Sequence, residues 1–335
     1  MSRFSSKWLN YLIKAFMAAA MCALLAYEFR QQQHLEEIWA AFKLQLQQAN
    51  GWWLAGVVLL SPINWLAETL KWQPFVARIQ DFSLRRGYAA VLAGISFSLF
   101  TPNRVGEFGG RILFVKPEHR WKAAIINFVG NLSQYLALLS GGILGAWYLL
   151  ARIPDIDTGL VYVALSAIMV ALGFMYYFYF NISVLIPIAK RIYLLRKLKK
   201  YVKDVRILEQ FSREDLRKIL IRALLRYAVY VLQYWMIARF FAIDIGFINS
   251  IAVVSTLYFI QTGIPLPAIA GLAARGGLAV YFWGLWGANE ISCLAASFSL
   301  WIINLILPAL CGTFFIFYVN ITKAVGYDNE TDVSP

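Results

Sequence analysis

Arg104, Glu107 and Arg111 stand at i, i+3 and i+7 within SLFTPNRVGEFGGRILF, residues 98–114, between long apolar runs. On a helix that spacing puts all three side chains on one face. Such a face can do two things. Glu107 can neutralise one arginine, leaving a buried ion pair that holds the segment in place. The other arginine, beside a helix N-terminus with unpaired N–H groups, can bind an anion, and its planar fork suits a phosphate. Thr101 is placed to cap that helix, with Pro102 at its first position and Asn103 beside Arg104. Gly106, Gly109 and Gly110 would let a neighbouring helix or a lipid approach closely.

Charges here need a reason, because the rest of the chain suits lipid. It is 60% hydrophobic, 16% aromatic and 15% charged, against about 45–50% apolar and about 25% charged in soluble domains. A charge at the bilayer centre costs roughly 2.5–3.5 kcal/mol on the lenient insertion scale. Three lipid-facing charges would therefore cost on the order of 8–10 kcal/mol, so they must face partners or a cavity. The net charge of +13 is gathered at segment ends and in one loop, which is cytoplasmic anchoring rather than nucleic-acid binding. Cys22, Cys293 and Cys311 lie inside apolar segments at no metal-ligand spacing and read as packing residues. His34 and His119 are the only histidines, so neither a metal site nor a cofactor is expected. The first apolar run carries no cleavage site of the usual kind and stays as a span.

Eight hydrophobic elements follow from the pattern, making one all-α membrane domain over 1–322 with a polar tail over 323–335. Six read as full spans, near 9–28, 51–72, 122–150, 158–181, 219–242 and 290–322. The polar stretch 28–50 between the first two reads as an interfacial helix. The remaining two, 88–116 and 247–287, are interrupted by TPNRVGEFGGR and GIPLPAIAGLAARGG.

Loop charge gives the orientation. Residues 190–218 hold eleven Lys/Arg against four Asp/Glu, so this loop belongs in the cytoplasm, and Arg3, Lys7 and Lys14 put the N-terminus there too. A single crossing by 88–116 would push the basic loop outside. Entry and exit on the cytoplasmic side leave every loop where its charge predicts, with the C-terminus also inside a plasma or inner cell membrane. The run 88–101 gives about 21 Å of helix, too short to cross. Residues 88–116 therefore read as a re-entrant hairpin, and 247–287 as a second one entering from outside, broken at Pro265 and Pro267. Proline four residues before glycine recurs in both (Pro102/Gly106, Pro267/Gly271), which suggests an inverted repeat with the breaks meeting near the midplane.

Other polar residues leave alternatives open. Asn127, Asn131 and Gln134 form one stripe, either interhelical glue or the lining of a headgroup path. Glu68 and Lys71 read as interface residues or as partners of the arginines. Arg222 and Arg226, one turn apart beside the basic loop, read as anchors on lipid phosphate. The aromatic groups Trp52-Trp53 and Tyr176-Tyr177-Tyr179 read as interfacial belts.

TPNRVGEFGGR followed by RWKAAIINFVGNLSQ resembles the P-x-R-x-G-E-x-x-R region of the lysylphosphatidylglycerol synthase transmembrane, flippase-like family, with the second arginine here four residues after the glutamate. The family's second motif, a proline- and glycine-rich turn ending in a glutamate, is matched only loosely by IPLPAIAGLAARGG. Ala268 and Ile269 replace the paired glycines, the glutamate is missing, and Arg275 is the nearby charge. The resemblance implies a membrane domain that moves a phospholipid or lipid-linked group between leaflets. It also implies membrane lipids as partners, with a separate lipid-synthesising enzyme where the soluble aminoacyltransferase domain of two-domain relatives is lacking. Its substrate-binding candidates are Asn103, Arg104, Glu107, Arg111, Asn131, Gln134 and Arg275. Two other classes stay open. A lipid-modifying enzyme could use Glu107 as acid or base, though neither hairpin offers a histidine, an aspartate or a second carboxylate. A structural membrane protein would need only the ion pairs.

Overall fold

The computed structural model describes residues 3–31, 34–48, 50–99, 101, 106–150, 158–187, 204–263 and 271–319, and among these there is no strand. The helices are α1 (Arg3–Gln31), α2 (Leu35–Gln47), α3 (Gly51–Val76), α4 (Leu84–Ser98), α5 (Gly106–Ile112), α6 (Arg120–Leu150) and α7 (Thr158–Phe180). They continue with α8 (Arg213–Phe240), α9 (Phe247–Gly263), α10 (Gly271–Gly284), α11 (Glu290–Trp301) and α12 (Leu307–Phe317). Four segments are long and apolar enough to cross a membrane: Gly51–Val76, Pro117–Leu150, Gly159–Phe180 and Glu290–Phe317. The expected spans at 9–28 and 219–242 are helical as well. The second of these, α8, is too rich in arginine to pass on composition; of its arginines Arg226 forms a buried ion pair with Glu68 and Arg222 reaches the Leu70 carbonyl.

Helix α4 starts where Ser83 accepts the Arg86 N–H as an N-cap. At 15 residues it spans about 22 Å. Helix α5 packs against it in antiparallel register, Gly106 facing Phe97 and Gly110 facing Ala93 and Gly94. A Cβ on Gly110 would lie 2.6 Å from the Ala93 carbonyl oxygen, and one on Gly106 would run into the Phe97 carbonyl; Gly109 meets nothing within 4 Å. Gly110→Val is therefore expected to destabilise by about 1–3 kcal/mol, with Gly109→Ala near neutral. Thermal unfolding in detergent separates the two variants, and equal losses would mean that close α4–α5 packing is not what these glycines serve.

The half-helix predicted to begin at Pro102 is described from Gly106 onward, and the Gly106 N–H donates to Thr101 Oγ1 at 2.7 Å. Pro102, Asn103, Arg104, Pro265 and Pro267 lie outside the described residues, as does the 188–203 part of the basic loop; Gly271 opens α10.

Helix α9 packs along α6, α8 along α3, and α12 along α4, where Ser96 Oγ donates to the Ala309 carbonyl at 2.6 Å. A π turn, Ile302–Ile306, joins α11 to α12. Pro308 has no N–H for the carbonyl four residues back, so the ladder shifts by one residue just before it. Ser61 Oγ donates to the Ile303 carbonyl at 3.2 Å.

At the basic end of α8, Ser212 and Asp215 form a capping box, and Arg78 grips the Asp215 carboxylate with two hydrogen bonds of 3.0 and 2.6 Å. Those bonds, with the Ser212 N–H, hold the Asp215 carboxyl down at about 2. Its folded value lies below the unfolded value of about 3.9. The contribution is therefore complete above about pH 4 and is lost as pH falls toward 2. Asp215→Asn is expected to cost about 1 kcal/mol or less at pH 7, because Arg78 is half exposed. The variant should also lose the wild type's fall in melting temperature between pH 4 and 2, which a pH series of melting curves reads.

Candidate functional site

Four carboxylate- and amide-bearing turns converge on the buried face of α3, and Glu68 is their centre. Its Oε1 accepts from Arg111 Nη2 at 2.8 Å, while its Oε2 lies 2.7 Å from Lys71 Nζ and 2.8 Å from Arg226 Nη1. Glu107 adds a second carboxylate to Arg111 at 3.1 Å, one helical turn away. Asn127 Oδ1 accepts from Arg111 Nη1, and Gln134 Oε1 accepts from Lys71 at 2.9 Å and Arg226 at 3.3 Å. Glu68, Lys71 and Arg111 are 2% exposed or less. So three cations face two carboxylates in this cluster, held by α3, α5, α6 and α8. The cluster answers what charges do in such a chain: they satisfy one another inside the helix packing, where lipid-facing exposure would be prohibitive.

Next to it lies a cavity of about 300 Å³ between α3, α5, α6, α8, α9, α10 and the α11–π turn segment. Arg226 spans both: its Nε donates to Asn64 Oδ1 at 2.9 Å, and its guanidinium lies over the Trp65 ring at 5.1 Å while lining the cavity. Opposite, α10 contributes Arg275, and the last turn of α9 contributes Gln261 and Thr262. Tyr230, Tyr234 and Tyr258 form an aromatic wall with centroids 5.0 and 5.9 Å apart about Tyr258. Tyr230 is fixed by Gln134 Nε2, which donates to its hydroxyl at 2.8 Å. Asn304 of the π turn lines the cavity and exchanges two hydrogen bonds with Gln233, at 3.0 and 3.1 Å. Gln261 Nε2 and Trp301 Nε1 are buried donors with no partner among the described residues, and both residues line this cavity. Guanidinium groups and orphaned donors together make a wall that suits an acceptor-rich, negatively charged ligand.

Glu107, Asn131, Gln134 and Arg275 line this cavity, so residues from both interrupted segments meet there. Arg111 does not line it; its guanidinium is turned to Glu68, Glu107 and Asn127. Arg226, read from sequence as an anchor at the lipid surface, is only 7% exposed and deep between helices, because Glu68 and Asn64 draw it inward. Arg222 likewise reaches a backbone oxygen, that of Leu70, at 2.7 Å. Sequence reading passed over Asn64, Gln261, Trp301 and the tyrosine wall. The i, i+3 pair Glu68/Lys71 set in an apolar span, and Asn304 four residues before Pro308, were the available signals.

The apolar helices and this interior polar cavity define a multi-pass α-helical membrane domain. Residues 13–312 match the family described as the lysylphosphatidylglycerol synthase TM region, and the chain belongs to it. Its function is accordingly tied to membrane lipid. Comparison with curated proteins found no match, and comparison with solved structures found none.

Proposed function

We propose that this chain carries a phospholipid or lipid-linked group between leaflets, holding the phosphate of its headgroup in the cavity between Arg226 and Arg275. The observation that carries this reading is the cavity wall itself: two guanidinium groups and the Gln261 and Trp301 donors, which have no partner among the described residues, with Asn131 and Asn304 lining it too. Helices α4–α5 and α9–α10 are re-entrant hairpins in this reading, and the cavity is where their inner ends meet. The termini and the basic loop face the cytoplasm, and the protein sits in the cell membrane. Arg111 serves the site indirectly, by sharing Glu68 with Arg226 and so fixing where that guanidinium points. Arg104 and Asn103, outside the described residues, are candidates by sequence alone, three and four residues before Glu107. Asn127, the tyrosines and Gln134 are shape and support, and no acid–base pair is needed. Synthesis of the lipid falls to a separate enzyme. Transfer of a fluorescent phosphate-headed lipid between leaflets of reconstituted vesicles tests the reading, with Arg275→Gln as the variant.

A further inference from the structure

A second lipid-facing feature lies away from the cavity, where α7 ends and α8 begins. A shallow groove of about 590 Å³ runs between Tyr177 and Phe180 on one side and Arg213 and Arg217 on the other, with Asn181 and Glu214 at its ends. Its two walls differ in kind. The α7 wall belongs to a helix with few buried side chains, and Tyr177 is 60% exposed at its last turn. The α8 wall is cationic. Arg213 reaches only Asn181 Oδ1, at 3.3 Å, and Arg217 only the half-exposed Glu214, also at 3.3 Å. Exposed pairs of that length are worth little and exchange readily for a better acceptor. Glu214 is moreover shared with Lys218 at 3.6 Å, so one carboxylate serves two cations.

We infer that this groove is a docking site for one anionic phospholipid, its phosphate between Arg213 and Arg217 and its acyl chains along Tyr177 and Phe180. Aromatic rings mark the depth at which headgroups lie, and a basic surface at that depth selects anionic lipid. Charge complementarity sets the occupant, since a zwitterionic headgroup would bring its own cation toward the arginines. The site is independent of transport. It stabilises the α7–α8 junction and takes a lipid from one leaflet without moving it.

The test uses the full chain in detergent, titrated with phosphatidylglycerol or with phosphatidylcholine of the same acyl chains, and reads the melting temperature. Phosphatidylglycerol is expected to act at concentrations about thirtyfold lower than phosphatidylcholine, taking about 1 kcal/mol for each of the two arginines near the surface. Arg213→Gln/Arg217→Gln, which leaves the Ser212–Asp215 cap in place, should lose that preference. Arg275→Gln, which alters the cavity, should keep it. Glycerol phosphate without chains should not reproduce the effect. Equal potency of the two lipids, a preference retained in the double variant, a preference lost in Arg275→Gln, or full action of glycerol phosphate would each overturn the proposal.

Discussion

Glu68→Gln is expected to destabilise the protein by about 3–5 kcal/mol, the range for removing one partner of a buried charge network. Three cations surround this one carboxylate at 2.7–2.8 Å. Glutamine keeps the size and one acceptor, so what is lost is the charge. Lys71, Arg111 and Arg226 would then share Glu107 alone of the two carboxylates in the cluster. Arginine cannot shed its proton, so Lys71 would have to deprotonate or the helices would have to open to water. Fluorescence-detected size exclusion and thermal unfolding should show a low yield of folded protein. Removing the surplus cation as well, in Glu68→Gln/Lys71→Met, should restore part of the loss. A Glu68→Gln protein as stable as the wild type would mean that the cluster does not hold α3, α5 and α8 together.

Arg275→Gln is the counterpart, a change expected to act on lipid binding and read on protein verified as folded. Arg275 lines the cavity from α10, and Glu68 is not among the lining residues. A charge-assisted hydrogen bond contributes about 1.5–3 kcal/mol. At about 1.4 kcal/mol per tenfold, phosphate-headed lipid should bind about 10- to 100-fold more weakly to the variant. Arg226 offers no such separation, because it ties Glu68, Asn64 and Gln134 while it lines the cavity. Arg226→Gln should therefore lose melting temperature and binding together.

Much of the helical layout was legible in the sequence, for plain reasons. Unbroken apolar runs locate α3, α6, α7 and the α11–α12 segment, and the stretches TPNRVGEFGGR and GIPLPAIAGLAARGG mark the two interrupted segments. Glu107 and Arg111 stand one turn apart, so their pairing follows from spacing alone. The identity of the remaining partners was not legible. Glu68 meets Arg111 43 residues on, and Asn64 meets Arg226 162 residues on. Nothing local in either stretch selects these matches; the packing of α5 with α4, beside α3, sets the first and that of α8 along α3 the second. The same holds for the tyrosine wall, where Tyr230 and Tyr258 read as ordinary apolar-span residues until α8 and α9 stand side by side. That the Thr101 hydroxyl accepts from the Gly106 N–H, five residues on, had no signal in the sequence.

The most direct measurement is the rate at which a fluorescent, phosphate-headed phospholipid crosses between leaflets of vesicles. It should be taken with wild-type protein, with Arg275→Gln verified as folded, and with no protein. The account predicts fast transfer with the wild type and a rate at least about tenfold lower with Arg275→Gln. A wild-type rate equal to that of protein-free vesicles, or equal rates for the two proteins, would contradict it.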